Sequence, residues 1–227
     1  MWAKPHPISG VLRGETLTSG ELTILIPRFY PILDAEHLVG RANLSNVATD
    51  LQAAGVSLLQ WRCKNGSPAD TLTGASILRE IFSQSTLIMN DRADLCVLAR
   101  FDGVHVGQDD LPPATARQII GKGIIGISTH TEDQVSEADL SAADYIAVGP
   151  IFSTSTKPDA AAVVGLEGIR RARALTTKPL IAIGGITRQN ARSVIDAGAD
   201  SIAVISSLFA AGETVEKVAR DFLDLLR

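Results

Sequence analysis

Eight short apolar runs, separated by amphipathic segments, limit what this chain can fold into more than any other feature. They occupy residues 29–33, 57–61, 86–89, 103–106, 124–127, 145–148, 180–183 and 201–205. Each is the length of a buried parallel strand, apolar on both faces. The intervening segments carry helical spacing. Leu44, Val47, Leu51 and Ala54 recur three or four apart, as do Val215, Val218, Phe222, Leu225 and Leu226, with Thr214 placed to cap the last helix. Gly198 stands where a left-handed cap would end the helix before the eighth run. Strand and helix in strict alternation imply a parallel sheet with right-handed crossovers. Eight such units in about 200 residues imply an α/β fold of one kind, a single (β/α)8 TIM barrel. The rival, an open doubly wound sheet, would carry a glycine-rich loop after its first strand, where this chain has Pro31-Ile32-Leu33-Asp34.

Bulk properties narrow the class. The chain has 227 residues, enough for one barrel, and its core must be aliphatic because only 4% of residues are aromatic. A net charge of −4 disfavours a nucleic-acid partner, so any phosphate must be gripped by a few focused groups. Cys63 and Cys96 form no C-x-x-C pair, and no signal peptide or membrane-length apolar run is evident. A cytoplasmic enzyme with no membrane partner is expected. Oligomeric state is left open. Residues 1–22, irregular and rich in Pro and Gly, read as an N-terminal extension to a barrel domain of residues 23–227.

In a barrel of this type the residues that follow the strands gather at one rim. On the second run, Gln60, Arg62 and Lys64 alternate and therefore share a face. The third ends in Asn90-Asp91 and the fourth in Gly107-Gln108-Asp109-Asp110. One carboxylate from each of these loops could share Mg2+, or each could merely cap the helix that follows. The fifth ends in Ser128-Thr129-His130: Ser128 can donate to an anion, Thr129 fits an N-cap, and His130 is either an acid–base group or structural. His105 lies inside the fourth run and is expected in or near the core. The loop after the sixth run holds Thr154, Thr156 and Lys157, the seventh run leads to Gly184-Gly185, and the eighth ends at Ile205-Ser206-Ser207. Glycine lets backbone amides approach a phosphate closely, and loops seven and eight are where this fold binds one.

Two anion grips result. The neutral one comprises Gly185, the amides near Ile205 and Ser206, and the threonines, and suits a monophosphate. The charged one comprises Arg62, Lys64, Lys157 and a cation on Asp91 and Asp110, and suits a diphosphate. No strong candidate base stands between them. That pattern points to a diphosphate leaving group and a neutral nucleophile.

Taken in order, the motifs resemble the thiamine phosphate synthase family from about Arg28 onward: Gln60-x-Arg62-x-Lys64, Asn90-Asp91, the run from Gly103 to Pro112, Gly126-Ile127-Ser128-Thr129-His130, Val148-Gly149-Pro150 with Thr154-x-Thr156-Lys157, Ile183-Gly184-Gly185 and Val204-Ile205-Ser206. The resemblance implies two small phosphorylated substrates. A hydroxymethylpyrimidine diphosphate would lose pyrophosphate as the nitrogen of a thiazole phosphate, or of its carboxylated form, attacks the exocyclic methylene carbon. It further implies that Gln60 and Asn90 contact the pyrimidine end, with Asn90 also near the diphosphate. Arg62, Lys64, Ser128 and Lys157 would hold the diphosphate and act in catalysis. Asp91 and Asp110 would ligate Mg2+, while Thr154, Thr156, Gly185, Ile205 and Ser206 would hold the thiazole phosphate. Trp61 and Cys63 depart from a leucine and a glutamate common in the family, and Ala147 from a glycine. The alternation turns Trp61 and Cys63 away from the site. Two rivals stand beside this reading: a thiazole tautomerase on the same barrel, and a noncatalytic phosphate-binding barrel.

Overall fold

A computed structural model describes residues 26–39, 42–154 and 162–227. The proposed N-terminal extension lies outside the described residues. Eight parallel strands close into a barrel in sequence order: β1 (Phe29–Asp34), β2 (Leu58–Arg62), β3 (Thr86–Asn90), β4 (Gly103–Val106), β5 (Ile124–Thr129), β6 (Tyr145–Val148), β7 (Leu180–Ile183) and β8 (Ser201–Val204). Pairing of β1 with β8, Phe29 opposite Ile202, closes the ring. Every expected strand is present, with ends that move by a residue or two.

Helices α1 (Ala35–Leu38), α2 (Leu44–Ala54), α3 (Pro68–Ile81), α4 (Ala93–Leu98), α5 (Pro113–Ile120), α6 (Glu132–Leu140), α7 (Gly165–Leu175), α8 (Ala191–Asp196) and α9 (Val215–Leu225) form the outer layer. Their ends have local causes. Ser67 and Asp70 make a capping box with Pro68 in the first turn of α3, Asn43 caps α2, and Thr214 caps α9 by accepting from the Lys217 amide. Gly198 follows α8 with φ of 113°, as expected of a left-handed terminator.

Alternation along the strands divides the core in two. Outward residues such as Leu33, Leu59, Trp61, Val104 and Ile146 pack with the helices in the larger cluster. Inward residues Tyr30, Ile32, Leu58, Ile88, Ile124, Tyr145, Ile181 and Ala203 fill the barrel in the smaller one. Each buried aliphatic side chain contributes roughly 1.5–3 kcal/mol by leaving water. The core is aliphatic, as composition requires, apart from a few placed aromatics. Phe29 stacks on Phe222 of α9 at 5.0 Å, and the Tyr145 ring lies inside the barrel over Gly126. A Cβ at Gly126 would stand 2.0 Å from the Tyr145 ring carbon Cζ, so glycine is required there by close approach. Trp61 points outward as expected, and its indole N–H donates to the Thr71 carbonyl on α3 at 3.0 Å.

Candidate active site

A cavity of about 480 Å³ opens at the C-terminal ends of the strands. Residues from all eight strands or the loops that follow them reach it. Gln60, Arg62 and Lys64 enter from β2, Asn90 and Asp91 from β3, and Asp110 with its neighbour Asp109 from the β4 loop. Ser128 comes from β5, Thr154 from the β6 loop, Gly185 from the β7 loop, and Ile205 and Ser206 from the end of β8. Alternation along β2 places Gln60, Arg62 and Lys64 on this cavity together. Thr156 and Lys157 lie outside the described residues.

The charged wall is built from paired ions. Arg62 forms an ion pair with Asp34, a side chain only 4% exposed at the end of β1. Asp34 also accepts from the backbone amides of Glu36 and His37, which fixes the carboxylate that fixes Arg62. Sequence reasoning missed Asp34. Its signal was register: Asp34 is the β1 partner of Arg62 across the pair. Lys64 Nζ stands 3.3 Å from Asp91 Oδ2.

Asp91 and Asp110 do not cap helices. Arg92 occupies the N-cap of α4 and Pro112 that of α5, each without a side-chain cap. Asp91 instead takes a left-handed φ of 62°, its amide donates to the His105 carbonyl at 2.7 Å, and Asp110 Oδ2 accepts from the Gly107 amide at 2.8 Å. Burial raises the Asp91 carboxyl above the ordinary carboxylate range, the adjoining Asp110 carboxyl raises it further, and Lys64 opposes both. Two carboxylates forced together in this way fit a hard divalent cation. Among the described residues no cluster of three or more His, Cys, Asp or Glu forms a complete metal cage. Mg2+ does not need one where waters and substrate phosphates complete its shell.

The opposite wall is neutral and made of backbone. Gly184 and Gly185 have φ of 102° and 65°, and a Cβ at Gly185 would lie 2.6 Å from the Ser153 carbonyl oxygen. The chain there must be glycine both for its turn and for its approach to loop six. The 3-10 turn Ser206–Leu208 follows β8, and Ser207 Oγ donates to the Ile186 carbonyl, which ties loop eight to loop seven.

Three expectations around the fourth and fifth strands change. Thr129 is not a helix cap: it is fully buried and donates to the Ala147 carbonyl at 3.0 Å, while Thr131 caps α6. His130 lines the cavity, and its Nδ1 lies 2.6 Å from the Gly149 carbonyl oxygen, which makes it a brace for the sixth loop. His105 is buried as expected but is also part of the site. Its Nε2 is 2.8 Å from Ser128 Oγ and its Nδ1 is 2.9 Å from the Tyr145 hydroxyl. That hydroxyl is 3.0 Å from Tyr30 Oη, which accepts from Gln60 Nε2 at 2.8 Å. Neither tyrosine was singled out from sequence, because a phenol inside an apolar run looks like core.

Comparison with known proteins settles the family. The family model described as thiamine monophosphate synthase matches residues 29–208. The chain belongs to the thiamine monophosphate synthase family. A thiamine-phosphate synthase of Koribacter versatilis is 48% identical over 206 residues, covering 88% of this chain and 96% of that protein. One from Chloroflexus aurantiacus is 42% identical over 188 residues, covering 82% and 87%. The thiamine phosphate pyrophosphorylase structure from Pyrococcus furiosus superposes with a TM-score of 0.78 at 31% identity, covering 88% of this chain and 95% of that one. The chain is thus an enzyme, a transferase of thiamine biosynthesis on a TIM barrel. Among the described residues no helix is long and apolar enough to cross a membrane.

Proposed function

We propose that this enzyme joins 4-amino-2-methyl-5-hydroxymethylpyrimidine diphosphate to 4-methyl-5-(2-hydroxyethyl)thiazole phosphate, or its carboxylated form, releasing pyrophosphate. The catalytic domain is residues 23–227, acting in the cytoplasm. One observation carries the reading: a cationic and carboxylate-bearing wall faces a neutral glycine and serine wall across one cavity. The first suits a diphosphate, the second a monophosphate.

The C–O bond to the diphosphate breaks with its electron pair going to the leaving oxygen. The aminopyrimidine ring spreads the positive charge left on the methylene carbon. The thiazole nitrogen then gives its lone pair to that carbon and becomes a thiazolium. No proton is lost from the nucleophile, which is consistent with a cavity that offers cations and donors in place of a base. Arg62, Lys64 and Lys157 hold the diphosphate, and Ser128 donates to it. These groups stabilise the negative charge as it grows on the leaving group. Gln60 and Asn90 orient the pyrimidine. Thr154, Thr156, Gly185, Ile205 and Ser206 hold the thiazole phosphate, the last three partly through backbone, so both reactants meet at one rim. Asp91 and Asp110 would hold Mg2+, which when bound would supply positive charge to stabilise the departing diphosphate.

The test is an incubation with both substrates. Thiamine phosphate and pyrophosphate should appear in equal amounts, and neither should form when one substrate is omitted. Isomerisation of a thiazole carboxylate phosphate without pyrophosphate release would favour the tautomerase instead. That reaction has no need of the Arg62–Lys64 and Asp91–Asp110 pairs.

A further inference from the structure

We infer that Gln60, Tyr30, Tyr145, His105 and Ser128 form one polarised hydrogen-bond chain, which holds an acceptor at the pyrimidine end of the pocket and a donor at the diphosphate end. The inference deepens the proposed function and rests on it only for what lies at each end.

The polarity follows from counting protons. Gln60 Nε2 donates to Tyr30 Oη at 2.8 Å. Tyr30 has a single hydroxyl proton, and Tyr145 Oη, 3.0 Å away, is positioned to accept it. Tyr145 then has its own proton to give, and His105 Nδ1 lies 2.9 Å from it. An Nδ1 that accepts leaves the ring proton on Nε2. Nε2 therefore donates to Ser128 Oγ at 2.8 Å. Ser128 accepts that bond, and its own hydroxyl proton is left to turn into the cavity that it lines. At the far end, the Gln60 amide has turned its nitrogen inward, so its oxygen is the acceptor.

Reversing any one bond would place two protons, or none, between a pair of neighbours, so the chain changes direction as a unit or not at all. It lies in the barrel interior: Tyr30 is 1% exposed, Tyr145 is 0% and Gln60 is 2%. Burial raises both phenols well above their ordinary range, so they remain proton donors. The outcome matches the chemistry at each end. An exocyclic amine needs an acceptor, and a diphosphate oxygen needs a donor. A pyrimidine diphosphate satisfies both with one polarity, whereas the reverse polarity would satisfy neither. Tyr30, Tyr145 and His105 are on this account positioning residues.

The experiment reads the His105 tautomer by long-range proton–nitrogen NMR on the full chain labelled with ¹⁵N-histidine, assigned by loss of the signal in His105→Gln. A neutral ring with its proton on Nε2 and a bare Nδ1 is expected, and it should persist when pyrophosphate is added with MgCl2. A ring protonated on Nδ1, or on both nitrogens, overturns the chain. Tyr145→Phe removes one link while leaving the ring that fills the barrel. Its KM for the pyrimidine diphosphate should rise about tenfold, the scale of one lost hydrogen bond. Its kcat should fall as well, because the Ser128 donor acts on the leaving group, whereas its KM for the thiazole phosphate should change less than about threefold. Equal changes in both KM values, or none, would also overturn it. The tautomer is read without either organic substrate, so it decides the polarity even if the synthase reaction fails. An active synthase with Nδ1-protonated His105 would defeat the chain alone.

Discussion

At the scale of single residues, the carboxylate pair carries the most specific expectation. Asp91 is held against Asp110 at a cost, because burial and then the adjoining Asp110 carboxyl disfavour the charged form of Asp91. Asp91→Asn or Asp110→Asn should therefore leave the melting temperature unchanged or raised while kcat/KM falls by about a hundredfold or more, the size of a lost electrostatic contact in catalysis. Paired melting curves and rate assays check this, and a variant that loses both together would mark the pair as structural. Asp34 gives a second case. Its carboxylate aims Arg62, so Asp34→Asn should raise KM for the diphosphate substrate about tenfold, the scale of one charge-assisted hydrogen bond. Side-chain alternation made Gln60, Arg62 and Lys64 legible in the sequence, because period two is a property of any strand. Asp34, Tyr30 and Tyr145 were not legible as site residues. What defines them is a partner on another strand, and a linear reading does not bring those partners together.

At the scale of elements, strand identity was readable because each β run is short, apolar and bounded by turn residues. The N-cap of α9 was readable for the same local reason: Thr214 stands three residues before Lys217, whose amide it caps. Thr214→Ala should lower stability by about 1 kcal/mol in denaturant titration without altering turnover. The cap at α6 was misjudged because Thr129 and Thr131 have the same chemistry. Only the register of β5 on β6, with Thr129 opposite Val148, decides that Thr129 is still strand and buried. The same pair of strands makes a stronger prediction at Gly126. Glycine inside a strand is costly, which on propensity alone favours Gly126→Ala. With a Cβ 2.0 Å from the Tyr145 ring, it should destabilise by roughly 1–3 kcal/mol. It should also raise KM for the pyrimidine diphosphate by displacing the phenol.

At the scale of the whole molecule, the closed barrel converts strand ends scattered over more than 170 residues into one rim, which is why residues named in chain order, from Gln60 to Ser206, line one cavity. Closure also has an ionic clasp outside the core. Arg188, after β7, pairs with Glu213 and with Asp221 of α9, and Lys217 pairs with both carboxylates. Arg188 and then Lys217 hold the Glu213 carboxyl down to about 2. A carboxyl depressed in the folded state stabilises above its unfolded value, about 4.3, and loses that effect as pH falls through its folded value. Glu213→Gln should therefore lower the melting temperature slightly at pH 7, and the difference should shrink as pH falls from about 4 and vanish below about 2. A deficit independent of pH would point to packing instead. The central claim is that one rim separates a diphosphate from a pyrimidine by electrostatic pull while a thiazole phosphate waits beside it. It is tested most directly by pyrophosphate release with both substrates saturating, first with Mg2+ and then with excess chelator. Release that stops with chelator and returns with Mg2+ is the predicted result, and full turnover in chelator would contradict it.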